Sequence, residues 1–389
     1  MMTRTGPTFI AFALFSLAFA LPTSSPAQIL LSGNENKIDL THGGQVVIPN
    51  APPDNLTLLD FSHFPPTTVM IENVSNTVIG PPSNIAITPD GKLAIVANSI
   101  RIDPADKSKY LPESFAHIVD LTAKPPKVIG QVKTDLQPSG LSITPDGKRA
   151  LVANRASGTV SVLAIDGTSV MNIASVKVCE PAESISDVAI SPDGKFALAS
   201  VQKPGYLAML KIESGQVSFT GRKISAFGQP YRVVITPDGQ LALTAGAGFG
   251  NGRDQDCISV VDFTMPQPTT VDYIPVGVSP ESIEISPDGK LLAAVVIEGS
   301  NTPPESPIHG NNGALVILKR NGKTFAKSQR LQVGRIPEGV AFTTDGKYLV
   351  VQCHPDRQLW VFAVKDGNVS DTGQRISVPG QPSSLRAGK

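Results

Sequence analysis

The chain has 389 residues, and its 33 Lys and Arg balance 33 Asp and Glu, so the formal net charge is zero. That balance gives no long-range attraction to nucleic acid or to an anionic membrane, and 41% hydrophobic residues exclude a wholly disordered chain. The 34 glycines and 34 prolines exceed average usage without reaching low-complexity levels, which predicts many turns between short strands.

Residues 1–27 read as a secretory signal. Arg4 precedes an apolar run over 9–21, and the small residues Ser25 and Ala27 suit the −3 and −1 positions of a signal-peptidase site. The run is shorter than the ~20 residues a spanning helix needs. Cleavage before Gln28 and a periplasmic or secreted protein without a membrane span are therefore expected. Segments 45–49, 55–61 and 67–73 follow, and read as the second, third and fourth strands of a four-stranded unit that lacks its first.

One turn then recurs six times: ITPDGK at 87–92 and 143–148, ISPDGK at 190–195, ITPDGQ at 235–240, ISPDGK at 285–290 and FTTDGK at 342–347. Proline fixes φ at the second turn position, Asp suits the third, and Gly supplies a left-handed residue, so each copy predicts a tight link between antiparallel strands. The best-formed unit parses as strands over 140–143, 150–153, 159–165 and 173–178. Second strands such as LAIVA at Leu93 and LALTA at Leu241 are apolar throughout, as strands buried on both faces are. A spacing near 50 residues without helical periodicity predicts a propeller.

The C-terminal QPSSLR, 381–386, matches the first-strand segment at 137–142 and has nothing after it. Joined to the N-terminal three strands it makes one composite unit. The fold expected is an all-β, seven-bladed β-propeller of four-stranded antiparallel blades, spanning 28–389 as one domain with 3+1 closure, which leaves no open seam in the ring.

The stretch PDGKRALVANRASGTVSVLAIDG, 145–167, resembles the YVTN-type propeller repeat, with LVAN where that repeat has YVTN, and weaker copies cover nearly the whole chain after the leader. A WD40 repeat is disfavoured, because Trp360 is the only tryptophan. Segments such as VSVLAIDGTSVMNIASVKV are similar to the seven-bladed lactonase family. That likeness implies hydrolysis or isomerisation of sugar lactones and related cyclic esters, with His, Arg and Glu near the channel. Here Arg232 with Glu281 or Glu338 would take such parts, while Pro230-Tyr231-Arg232 and Ala245-Gly246 stand where the family has Pro-Arg-His and Asn-Glu.

The segments leading into the first strands should ring the channel mouth. Most are small and polar, like Asn84 and Ser139, but three consecutive blades supply Tyr231-Arg232, Glu281 and Glu338. A cation between two carboxylates there suits a polar ligand, acid–base work or a divalent cation held by oxygens. The same face should carry long loops at 98–115, 246–256 and 298–313, a usual home for ligand specificity, with Arg155 on a short loop and His117, His309 and His354 at or near these loops. His354, beside Cys353 and Asp356, is the candidate base. No HxxxH spacing supports a His-based metal site. Cys179, Cys257 and Cys353 lie outside any CxxC or CxxCH, which excludes covalent haem and favours buried thiols. Two readings result: an exported, monomeric propeller binding a small polar molecule or a protein at the loop-rich face, or a lactonase-like enzyme.

Overall fold

The computed structural model describes residues 1–3, 6, 28–248 and 254–388. The proposed cleavage residues Ser25 and Ala27, and residues 249–253 of the 246–256 loop, lie outside the described residues. Seven four-stranded antiparallel sheets follow one another along the chain, six of them with their strands in sequence order from the channel outward. Among the described residues the only helix is a three-residue 3-10 turn, Pro181–Glu183, and no helix is long and apolar enough to cross a membrane.

The ring closes in blade 1. Gln381–Ala387 pairs with Ile29–Glu35, which pairs with Asn55–Asp60, and Thr67–Glu72 forms the outer edge. The 3+1 closure is as expected, but the second strand is not 45–49. Leu30 and Leu31 are fully buried and Leu385 lies opposite Ser32, whereas Val46 is exposed. Val46–Val47 instead forms a short ribbon with Ile38–Asp39. The β-branched run at 46–48 has the propensity for a strand, but burial of the two leucines decides which segment joins the blade.

The second strands explain how blades hold one another. In Arg149–Asn154 of blade 3, Leu151 and Ala153 pack toward blade 4, while Ala150 and Val152 pack toward blade 2. Alternation along one strand thus serves two interfaces. Each fully buried leucine contributes roughly 1.5–3 kcal/mol, and Leu151→Ala would cost about 2–5 kcal/mol through the cavity it leaves.

The repeated turn is built as its residues require. In blade 2, Thr88 Oγ donates to Asp90 Oδ1 at 2.6 Å, Asp90 Oδ1 accepts from Lys92 N at 3.1 Å, and Gly91 N donates to Thr88 O at 2.8 Å. The six turn glycines have φ between 68° and 71°, the left-handed region a side chain disfavours. On the opposite face lie the first-strand starts and the links from second to third strands. The expected blade 2 loop over 98–115 is instead a projecting hairpin: Leu93–Ile102 and Tyr110–Asp120 run on, leaving 103–109 as the tip. Burial of Ile100 against Ile38, Val78 and Ile79 keeps the extension ordered.

Candidate functional site

Two rings of residues meet at this mouth. The first ring is the second residue of each first-strand segment: Ser83, Ser139, Ser186, Tyr231, Glu281, Glu338 and Ser383. The second ring occupies the position ending or just following the second strand in six blades, Glu35, Arg155, Gln202, Ala247, Ile297 and His354, and the matching Ser99 within the extended Leu93–Ile102 of blade 2. In blades 3 to 7 a bulge falls between the first strand's start and its middle, for example between Pro230 and Val233. A bulge lets neighbouring residues leave the regular pleat. Tyr231 accordingly lines the mouth, while Arg232 points into the channel below it.

The mouth encloses a cavity of about 390 Å³ lined by Arg155, Gln202, Gln229, Tyr231, Glu281 and Glu338, among others. Arg155 donates from Nη1 to Ser186 Oγ at 2.7 Å and from Nη2 to Gln202 Oε1 at 2.6 Å, which fixes its guanidinium across blades 3 and 4. Glu338 is buried, and its Oε2 has no partner among the described residues. Burial pushes its carboxyl well above the usual range, and the charges of Glu281 and Glu35 push it further. Glu281 is raised to about 7 by burial, which the nearby Arg155 opposes. Burial, then Glu281, also raises the Tyr231 phenol. Glu281 therefore sits near its midpoint at neutral pH, and Glu338 favours its protonated form more than an ordinary carboxyl does. Two interacting carboxyls with displaced affinities are what acid–base chemistry needs.

The cation expected between Glu281 and Glu338 is elsewhere. Arg232 pairs with Glu284 through Nη2 at 2.7 Å and with Asp187 through Nη1 at 3.5 Å, and its Nε donates to Ile283 O at 3.3 Å. Asp187 also accepts from Ser83 Oγ and Val233 N, and Glu284 from Arg386 at 3.4 Å. This network ties blades 4, 5, 6, 1 and 2 across the waist of the channel. Among the described residues Arg155 is the cation near Glu281 in the mouth.

His354 does not line the cavity. It is fully buried, Nδ1–H donates to Pro382 O at 3.0 Å, and the unpartnered Nε2 lies 3.8 Å from Glu35 Oε1. Burial lowers it to about 4, so it is neutral at pH 7. His117 is buried on the third strand of blade 2, with Nε2 2.8 Å from Ser75 Oγ, and burial lowers it to about 4. His309 binds Thr302 O within its own loop at 2.7 Å. Asn84 and Ser139 are buried, and each keeps an oxygen without a partner among the described residues. The three cysteines are buried and free. Among the described residues no group of three or more His, Cys, Asp or Glu converges to hold a metal ion.

Glu35 was not foreseen. It is fully buried, accepts from Lys37 N at 2.8 Å and Ile38 N at 3.2 Å, and burial raises it to about 8. With 29–35 read as the second strand of blade 1, Glu35 falls in line with Arg155, and the repeat itself would have marked it. Gln202 could have been found by the same alignment.

No protein-family model and no curated protein matches the chain. Solved structures do. A candidate 6-phosphogluconolactonase from Bacteroides uniformis aligns with TM-score 0.69 and 18% identity, covering 93% of this chain and 100% of that one. The periplasmic gluconolactonase of Pseudomonas aeruginosa aligns with TM-score 0.66 and 18% identity, covering 93% and 99%. The hydrazine synthase of Kuenenia stuttgartiensis aligns with TM-score 0.61 and 21% identity over 80% and 93%. At these identities the likeness establishes the seven-bladed propeller fold, which hosts several activities.

Proposed function

We propose that the chain is an exported propeller of the YVTN repeat type whose mouth binds a small, hydroxyl-bearing ligand between Arg155 and the Glu281–Glu338 pair. One observation carries this reading: a buried carboxyl with an unpartnered oxygen faces a polar cavity beside a second carboxyl and a fixed guanidinium. A buried polar atom without a protein partner calls for water or a ligand. The cavity volume lies at the low end for small-molecule sites, which suits one sugar-sized ring better than a protein segment.

A second reading, hydrolysis of a cyclic ester, is favoured by the split proton affinities and by the lactonases among the structural neighbours. Glu281 as carboxylate would take a proton from water as its oxygen bonds to the ester carbon. Glu338 would give its proton to the ring oxygen as the C–O bond breaks. Arg155 would stabilise the oxyanion. The test is pH-stat hydrolysis of a panel of 1,4- and 1,5-lactones against a no-protein blank, with calorimetry of sugars and sugar acids in parallel. Turnover above the blank that falls on the order of 100-fold in Glu281→Gln supports the enzyme. Heat of binding without turnover leaves the binding reading alone, and neither signal across the panel overturns both.

A further inference from the structure

Blades 3 to 7 each bring rim residues to the cavity, from Arg155 and Gln202 round to Glu338. Blades 1 and 2 bring none from either ring. Their place is taken by Leu40, Gly44 and Gln45, together with Val78 from the connector between these blades. Leu40, Gly44 and Gln45 belong to one excursion, residues 36–54, which leaves blade 1 after Glu35 and returns at Asn55.

The foot of this excursion is firmly held. Lys37 Nζ pairs with the Asp54 carboxylate, Asn36 N donates to Asp54 Oδ1 at 2.9 Å, and Ile38 is fully buried against Val78, Ile79 and Ile100. Its exposed part is fastened to two other blades, with Lys107 at the tip of the blade 2 hairpin donating to Asn50 Oδ1 at 2.6 Å on the returning leg. Gly43 N donates to Asn301 O of the blade 6 loop at 2.7 Å, and Tyr110 of the blade 2 hairpin donates its hydroxyl to Gln45 Oε1 at 3.1 Å. The excursion thus reaches both the blade 6 loop and the blade 2 hairpin beside the mouth, as a strap. With its oxygen taken by Tyr110, the Gln45 amide is left with its N–H groups to offer.

We propose that this strap is the specificity wall of the mouth: it limits ligands to a single sugar-sized ring, and Gln45 donates to a ligand oxygen opposite the Glu281–Glu338 pair. The proposal rests on the mouth being the ligand site, and its test does not need the ligand. Gln202→Cys places a thiol in the cavity, where the three native cysteines are buried and give little background. Its labelling rate is measured with iodoacetamide and with a maleimide bearing a polyethylene glycol chain, each relative to the same reagent on free cysteine. With the strap intact, the large reagent should be at least 10-fold slower relative to the small one. Two changes should bring the ratio near one: replacing 41–46 by Gly-Gly, and Gly43→Pro, which removes the donor to Asn301 and cannot adopt the φ of 75° found there. A ratio already near one with the intact strap, or one unmoved by both changes, overturns the proposal. With D-glucono-1,5-lactone and cellobionolactone as probes, the shortened strap should raise relative turnover of the two-ring lactone at least 10-fold. If neither lactone is turned over by any form, the lactone reading fails while the labelling ratio still decides the strap.

Discussion

The mouth and the waist of one channel draw on the same first strands, with Tyr231 and Arg232 adjacent in sequence, and they treat charge in opposite ways. At the waist, Arg232 is nearly fully buried, yet it meets Asp187, Glu284 and a backbone carbonyl, and Arg386 completes the set. At the mouth, Glu338 is as deeply buried but keeps an oxygen unpartnered, and its neighbours Glu281 and Glu35 add like charge. The waist satisfies its charges and so ties blades together. The mouth leaves its carboxyls short of partners, and that shortage raises their proton affinity. Burial alone does not distinguish the two layers; partner count does.

The largest expected effect is at the waist. Arg232→Met takes from Asp187 and Glu284 their shared cation, leaving the buried Asp187 with neutral donors only, and should lower unfolding free energy by about 3–5 kcal/mol, read by urea denaturation. At the mouth, Glu338→Gln replaces a carboxyl whose proton affinity is raised by burial with its neutral mimic, and should shift stability by less than about 1 kcal/mol in the same assay. Equal losses in the two variants would break the comparison.

Acidity sharpens it. The folded-state affinities of Glu281, at about 7, and Glu35, at about 8, lie above the ordinary carboxyl value of 4.5, so between these limits the folded chain holds protons that the unfolded chain has lost. The contribution of each to stability is therefore fully present below pH 4.5 and falls as pH rises toward its folded value. The slope is at most about 1.4 kcal/mol per pH unit for each proton held. Glu281→Gln should remove its share of the fall between pH 4.5 and 7, and Glu35→Gln its share up to 8. Denaturation curves taken across that range check both, and parallel profiles for wild type and variants would show that the mouth carboxyls titrate normally.

Blade count and turn chemistry were legible because the repeated Thr/Ser-Pro-Asp-Gly turn is local: hydroxyl, carboxylate and left-handed glycine lie within four residues. The small set of charged residues among the first-strand starts was legible by the same periodicity. The direction of those side chains was not. A bulge between Pro230 and Val233 is a feature of strand pairing, and nothing within Gln-Pro-Tyr-Arg says that Tyr231 turns to the mouth and Arg232 to the waist. The strap was misread for a related reason: Val46, Val47 and Ile48 have strand character, and only the competition with Leu30 and Leu31 for a place beside 381–387 excludes them. Glu35 was hidden by that same misplacement.

The smallest effect concerns the face opposite the mouth, where satisfied polar contacts again hold the ring. Blade 7 alone departs from the turn pattern, with Thr344 where the other five copies have proline. Thr344 Oγ donates to Gln28 Oε1 at 2.6 Å and Asp345 N to the same oxygen at 3.1 Å, so the residue expected to begin the exported chain is fastened across the closing seam. Proline at 344 would restrict the unfolded chain, worth about 0.4–1 kcal/mol of stability, but would delete a hydrogen bond worth about 0.5–1.5 kcal/mol. In the wild-type chain Thr344→Pro should therefore be neutral or mildly destabilising. With Gln28→Ala already in place only the entropic gain remains, and the same substitution should stabilise. A double-mutant cycle on the chain starting at Gln28 measures the coupling, expected near 1 kcal/mol. If Thr344→Pro stabilises equally in both backgrounds, the Thr344–Gln28 bond contributes nothing to closure.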